Sequence, residues 1–340
     1  MHKTAAFLFA LSCSVNAADS VELRGVGGPF PEKVYKVWST AYHKQNPAVS
    51  ISYQGNSAAE GLEDILDGAV DFASSGAPIT ERESKKAPGI IHIPSIVAAI
   101  ALVYNLPGVT KLNLSPDSIS GIFLGTVRRW NDSRVAVDNP GVSLPDLPFT
   151  ILYRAAPIST TQIFTDYLSK ISPEWKAKVG SGRMVTWPVG VGMSGGGQAL
   201  ADRVRQTPGA IAPIGLGPAL ASQLGIAAVK NRSGNFALPN PRAMYNAVEG
   251  TSMPADFQAS ITDPRGRDAY PMASFTYILV RRHHADKQKE RALARFLLWA
   301  VTDGQAAAAF NDYAPLPNSL VERIKREIET LQPDRSSRQP

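Results

Sequence analysis

One nearly continuous apolar run, Ile93 to Val103, constrains the fold of this chain more than any other feature. A strand that is apolar at consecutive positions is buried on both faces, as in sheets that helices cover on each side. A second apolar run follows much later, from Phe275 to Val280. Elsewhere, short apolar runs bounded by Gly or Pro alternate with amphipathic stretches. This pattern predicts an α/β protein.

The segment between the two runs is long enough to form a lobe of its own. We therefore predict one lobe interrupted by another: residues 18–100 with 275–328 form lobe I, and residues 101–274 form lobe II. The length of 340 residues agrees with two domains of roughly 100 to 200 residues each. Residues 329–340 are polar, and we expect them to form a frayed tail.

The first residues of the chain have the features of a secretory signal peptide. His2 and Lys3 supply weak positive charge, Ala5 to Leu11 form a short apolar run, and Val15-Asn16-Ala17 resembles a cleavage site. The apolar run is too short to span a bilayer. We expect removal of residues 1–17 and export to the periplasm as a monomer.

Cysteine content and charge exclude several classes of protein. The only cysteine, Cys13, would leave with the signal, so the mature chain has no thiol for a disulfide. A lipid anchor on Cys13 is the alternative. The net charge of +6 comes from scattered basic residues such as Arg128-Arg129, without the stripe that nucleic-acid binding needs. The five histidines form no helical pair with a nearby carboxylate, so we expect no metal, no cofactor and no catalytic site.

A series of short motifs, most of them containing Gly or Pro, runs through the chain in a fixed order. They are Gly25-Val26-Gly27-Gly28-Pro29-Phe30-Pro31, Tyr53-Gln54-Gly55, Val70 to Pro78, Gly121 to Gly125 with Arg129 to Asp132, Trp187 to Gly190, Pro208 to Ile211, and Tyr313 to Pro317. In this order the motifs resemble the PstS-like phosphate-binding proteins of ABC transporters, from about Leu23 to about Leu320. The resemblance implies a type II periplasmic binding protein with two lobes, each a mixed sheet flanked by helices. Crossing strands would join the lobes.

The resemblance also implies a function. A member of this family is not an enzyme: it captures phosphate, or a related oxyanion or phosphorylated ligand, in the cleft between the lobes. It then delivers the ligand to the permease of an ABC transporter. The alternative is a non-transport member whose degenerate pocket serves sensing, secretion or surface interaction. Adjacent permease and ATPase genes would favour transport.

Helix N-termini suit a dehydrated oxyanion because their first backbone N–H groups are unpaired and the helix dipole favours negative charge. Three such starts occur, at the Gly28 to Phe30 turn, the Asn56 to Gly61 turn, and Ser159-Thr160-Thr161. Arg154 matches the phosphate-binding arginine of the family, whose planar fork can hold two oxygens. The resemblance thus implies a ligand site made of Gly28, Phe30, Ser57, Ala58, Gly76, Arg154, Ser159 and Thr160.

Several family ligands are substituted in this chain. The family carries an acidic residue, which accepts the proton of hydrogen phosphate, where Gly76 stands. Its hydroxyl residues are replaced by Pro29, Ala58 and Ile158. We therefore expect oxyanion binding that depends on Arg154 and discriminates poorly between phosphate and sulfate.

Overall fold

The structure of the chain is a computed structural model that describes residues 20–309 and 311–331. The predicted signal peptide, Cys13 and the last residues of the predicted tail lie outside these ranges. The strands are β1 (Val21–Gly27), β2 (Val49–Gly55), β3 (Phe72–Ser75), β4 (Ile90–Tyr104), β5 (Asn113–Leu114), β6 (Thr150–Arg154), β7 (Val191–Met193), β8 (Ala210–Gly215), β9 (Gly225–Ile226), β10 (Ala228–Lys230), β11 (Phe236–Ala237) and β12 (Ala273–Arg281).

Helices alternate with these strands along most of the chain. They are α1 (Glu32–Gln45), α2 (Ala58–Leu66), α3 (Glu81–Lys86), α4 (Pro116–Leu124), α5 (Ser133–Asp138), α6 (Ser159–Ile171), α7 (Pro173–Lys178), α8 (Gly197–Arg205), α9 (Leu216–Ser222), α10 (Pro241–Glu249), α11 (Lys287–Val301), α12 (Ala306–Ala309) and α13 (Asn318–Glu329). None of the helices in the described ranges is long and apolar enough to cross a membrane.

One mixed sheet forms the centre of the molecule. Its strands lie in the order β2-β1-β3-β12-β4-β8-β6-β7, and β9 pairs with Val103 and Tyr104 of β4. Strand β1 is parallel to both neighbours, as is β6, whereas β12 and β4 run antiparallel to theirs. A smaller sheet has the order β11-β10-β5. The α/β class predicted from the sequence is confirmed.

Strand β4 connects the two sides of this sheet. Its residues Ile90 to Ala99 pair with β12, and Ile100 to Tyr104 pair with β8. Every residue of β4 after Ile90 is buried. The apolar run from Ile93 to Val103 therefore lies in a strand that is covered on both faces, and this strand passes from one half of the sheet into the other.

Aromatic rings pack in two large groups, one in each half of the sheet. The first group contains Tyr35, Trp38, Tyr42, Tyr53, Phe72, Phe296 and Trp299. The second contains Phe123, Tyr153, Phe164, Trp175 and Trp187. Ring pairs contribute about 0.5–1.5 kcal/mol beyond their burial, so each half has a substantial core of its own.

The C-terminal segment packs on the first half of the sheet. Helix α11 buries Ala292, Phe296 and Ala300, and α13 packs against it. The predicted frayed tail overlaps this helix pair, because Glu329 is the last residue of α13 and Leu331 is 5% exposed. Residues 332–340 of that tail lie outside the described residues.

Candidate ligand-binding site

A cavity of about 600 Å³ lies where several strands end. Residues that follow β1 and β2 line it from one half of the sheet. Residues at the ends of β6 and β8 line it from the other half. Ligands of α/β proteins bind outside the carboxyl ends of the strands, where the connecting loops and helix N-termini face the same space. The cavity occupies this position.

The loop after β1 is held by two tyrosines. The Tyr53 hydroxyl donates to the carbonyl oxygen of Gly28 (2.6 Å), and the Tyr313 hydroxyl donates to that of Phe30 (2.8 Å). These carbonyl oxygens therefore have partners. Helix α1 then begins at Glu32, with no side chain capping its N-terminus. Pro29 and Pro31 have no N–H, and the N–H groups of Gly28 and Glu32 donate to the carbonyl oxygens of Ser74 (3.4 Å) and Pro29 (3.3 Å). Within this loop, only the N–H of Phe30 has no partner among the described residues and is left for an anion.

The loop after β2 leads into α2. Ser57 is the N-cap of this helix, and its Oγ accepts a hydrogen bond from the N–H of Ala59 (3.2 Å). The hydroxyl hydrogen of Ser57 is then available to a ligand. Ala58 follows as the first helical residue and is buried.

Helix α6 brings the third predicted segment to the cavity. Ser159 and Thr160 form its first turn, at the helix start predicted from the sequence, and Ile158 is the N-cap without a side-chain bond. The Oγ of Ser159 accepts a hydrogen bond from the N–H of Gly76 (3.2 Å). The first turn of α6 is thereby tied to the segment after β3, from the opposite half of the sheet.

Gly76 is buried behind Ser159 and is not among the residues that line the cavity. A Cβ at this position would lie 2.7 Å from the Cβ of Ser159 and 3.1 Å from Cδ1 of Phe30. No side chain fits there while both neighbours keep their places. Ser159 and Phe30 thus fill the space in which the resemblance puts an acidic side chain. The other predicted site residues all line the cavity: Gly28, Phe30, Ser57, Ala58, Arg154, Ser159 and Thr160.

Arg154 is the last residue of β6 and is half-buried. Its Nε is fully enclosed, yet it has no hydrogen-bond partner within the described residues, and no carboxylate there pairs with the guanidinium. Burial lowers the pKa of Arg154, because removal of water disfavours the charged form. An arginine still remains protonated at neutral pH. Arg154 therefore brings to the cavity a positive charge that no carboxylate of the described residues neutralises.

The other charged side chains of the cavity do have partners. Lys36 Nζ lies 2.7 Å from Oε1 of Glu32, and Lys33 Nζ lies 3.5 Å from Oδ2 of Asp312. Glu32 is the one carboxylate among the lining residues that the structure describes. Because the Glu32 carboxylate is paired with Lys36, the cavity presents net positive charge to a ligand.

Sequence reasoning missed a second group of lining residues. Gly197 and Gln198 at the start of α8 also line the cavity, as do Pro213, Ile214, Gly215, Gly217 and Pro218. The start of α8 has no side-chain cap, since its N-cap is Gly196. The glycine-rich stretch from Gly190 to Gly196 contains β7 and leads into α8. Its glycine density was the signal that could have identified this part of the site.

The chain is similar to known binding proteins over most of its length. A family model described as a PBP superfamily domain matches residues 14–304. The phosphate-binding protein PstS of Xylella fastidiosa is 33% identical, over 92% of this chain and 86% of that protein. The phosphate-binding protein PstS of Haemophilus influenzae is 30% identical, over 92% of this chain and 94% of that protein.

Solved structures agree in fold at lower identity. A high affinity periplasmic phosphate-binding protein, PfluDING, solved with bound phosphate, matches with a TM-score of 0.71 at 18% identity, over 90% of this chain and 93% of that chain. An ABC-type phosphate transport receptor from Vibrio cholerae matches with a TM-score of 0.59 at 16% identity, over 86% of this chain and 99% of that chain. The predicted binding-protein fold is confirmed.

Proposed function

Because the chain belongs to the PBP superfamily and, within it, to the PstS family of phosphate-binding proteins, we propose that it captures phosphate for an ABC transporter. Proteins of this family bind their ligand and are not enzymes. The ligand of this chain would be inorganic phosphate or a related oxyanion. Its macromolecular partner would be the transporter permease.

The single observation that supports the proposal best is the guanidinium of Arg154, which lines the cavity and has no hydrogen-bond partner within residues 20–309 and 311–331. A partly dehydrated cation without a counter-charge is unfavourable, and an incoming anion would supply that counter-charge. The N-termini of α1 and α6 lack side-chain caps and line the same cavity. Hydrogen bonds to charged groups contribute about 1.5–3 kcal/mol each, so a few of them suffice for micromolar binding, about 8 kcal/mol.

The proposal includes the two lobes predicted from the sequence, residues 18–100 with 275–328 and residues 101–274. The passage of β4 between the halves of the sheet supports this division, as do the two aromatic groups. A ligand that contacts both sides of the cavity would shift the lobes toward a closed state. We expect saturating phosphate to reduce the radius of gyration in small-angle scattering, and an unchanged radius at saturation would count against closure.

Periplasmic location is the third part of the proposal. It is supported by the signal-like segment at residues 1–17 and by the periplasmic relative of the same fold. Delivery to a permease follows from the family. Co-purification of the mature chain with a permease encoded beside it would support delivery.

Calorimetric titration with phosphate tests the proposed site. We expect wild type to bind, and Arg154→Ala to weaken binding at least 100-fold, because a dehydrated anion loses the one lining cation that has no counter-charge among the described residues. Arg154→Lys keeps the charge but not the planar fork, so we expect an intermediate affinity.

Arg203→Ala is the matched control. Arg203 lies exposed on α8, outside the cavity lining, and its removal changes the net charge by the same amount. We expect it to bind phosphate like wild type. Equal losses for Arg203→Ala and Arg154→Ala would show a general charge effect, and absence of phosphate binding in wild type would contradict the proposed function.

A further inference from the structure

Part of the cavity wall is apolar. Pro29, Pro157 and Ile158 line it beside the α1 and α6 starts, and Pro213, Pro218 and Ala221 line it from β8 and α9. These side chains cannot donate to or accept from an oxyanion. A wall of this kind favours a ligand that carries an apolar portion.

The cavity is also larger than a tetrahedral oxyanion requires. Such an ion has five heavy atoms, and at roughly 30 Å³ each, the share of a water molecule in the liquid, it fills about 150 Å³. The cavity of about 600 Å³ lies in the range of pockets for organic ligands. In the conformation of this structure, before any closure of the lobes, an oxyanion bound near Arg154 would leave most of the apolar wall uncovered.

The polar side of the cavity favours an oxyanion without an acidic proton. The one lining carboxylate in the described part of the chain, Glu32, is paired with Lys36 at 2.7 Å. Ser57 and Ser159 each already accept a backbone N–H at 3.2 Å, which leaves their hydroxyl hydrogens to be donated. Hydrogen phosphate would bring one proton without a charged acceptor, and a buried donor without a good acceptor weakens binding.

We propose that the cavity takes the phosphate group of a small organic phosphomonoester in preference to inorganic phosphate. The proposal rests on the proposed function, since Arg154 and the helix N-termini would hold the phosphate group. A monoester has a second pKa of about 6 and is therefore a dianion without an acidic proton at pH 8. Its ester oxygen carries the organic group that the apolar wall can cover.

Titration at pH 8 with phenyl phosphate, inorganic phosphate and phenol tests the proposal. We expect phenyl phosphate to bind at least tenfold tighter than inorganic phosphate, and phenol not to bind. Inorganic phosphate that binds as tightly as phenyl phosphate would overturn this inference and leave the proposed function intact. If neither oxyanion binds, the proposed function fails together with it. Phenol that binds as tightly as phenyl phosphate would also overturn the inference, because the phosphate group would not be the anchor.

A pair of tryptophan variants on one helix tests the apolar wall. Ala221 faces the cavity, whereas the adjacent Leu220 is 46% exposed and is not among the lining residues. We expect Ala221→Trp to lower the affinity ratio of phenyl phosphate to inorganic phosphate about tenfold, because it fills the space beside the wall. Leu220→Trp should keep the wild-type ratio. A ratio that Ala221→Trp leaves unchanged would refute the assignment of this wall to the organic group.

Discussion

Replacement of Gly76 by alanine should destabilise the protein, and Ser159→Gly should reverse about half of the loss. The added Cβ would lie 2.7 Å from the Cβ of Ser159, which is attached to the first turn of α6 and cannot rotate away. On its other side the added Cβ would lie 3.1 Å from Cδ1 of Phe30. The Phe30 ring cannot move away easily, because its opposite edge is close to Gly215: a Cβ built on Gly215 would lie 3.0 Å from Cε2 of Phe30. Overpacking of this kind costs about 1–3 kcal/mol.

Removal of the Ser159 side chain takes away the carbon that clashes and also the acceptor of the Gly76 N–H bond. The lost hydrogen bond costs about 1 kcal/mol by itself. With about 2 kcal/mol for Gly76→Ala, additivity predicts a loss of about 3 kcal/mol in the double variant. We expect only about 1 kcal/mol, because the clash is absent, and thus a coupling of about 2 kcal/mol.

Urea unfolding followed by tryptophan fluorescence measures these differences without ligand. Gly217→Ala is the control, since no atom lies within 4 Å of its added Cβ and Gly217 is inside α9. Alanine is favoured over glycine in a helix by up to about 1 kcal/mol, so this variant should be at least as stable as wild type. Wild-type stability for Gly76→Ala, or strict additivity in the double variant, would refute the packing argument.

Four further predictions concern stability, processing and specificity. Arg183 Nη1 lies 2.9 Å from Oε1 of Glu83 with both side chains largely buried, so Glu83→Gln should lower the free energy of unfolding by about 1–3 kcal/mol. The control is Glu81→Gln, because Glu81 pairs with Lys85 and its side chain is 85% exposed. This variant should change the free energy of unfolding in urea by less than about 0.5 kcal/mol. Equal effects of the two variants would contradict the role of burial. Burial lowers the pKa of His92 from 6.5 to about 4, so the stabilisation from its neutral form is complete above pH 6.5. It falls as the pH drops from 6.5 toward 4, by about 3 kcal/mol in total. His92→Gln should remove this slope from the unfolding free energy measured against pH, and an unchanged slope would contradict the assignment. Cleavage after Ala17 should appear in mass spectrometry of the exported chain, and an intact Met1 would contradict it. Competition calorimetry should show poor discrimination between phosphate and sulfate, and exclusion of sulfate would show that another group replaces the carboxylate missing at Gly76.

The candidate site could be predicted in part, because its segments are local in sequence. The turns that start α1 and α2 are recognisable from glycine, proline and serine patterns, and Arg154 follows a short apolar strand. Their side chains line one cavity, as the resemblance implied. The start of α8 was not predicted, because nothing in its own glycine-rich sequence indicates which distant strand ends it faces. The absence of a side chain at Gly76 was visible in the sequence, but its cause was not: Ser159 is 83 positions away.

The sequence by itself determined the elements whose burial is written in their own residues. A fifteen-residue strand such as β4 must be covered on both faces because nearly every residue in it is apolar, and α13 must pack on one side because Leu320, Val321, Ile324 and Ile328 share a helical face. The tertiary structure alone decided that Arg154 has no hydrogen-bond partner among the described residues, that Glu32 is paired, and that Ser159 fills the space at Gly76. Those properties depend on distances between residues far apart in the chain. Local patterns of polarity determine which faces are buried, but the packing of the whole sheet determines which groups meet there.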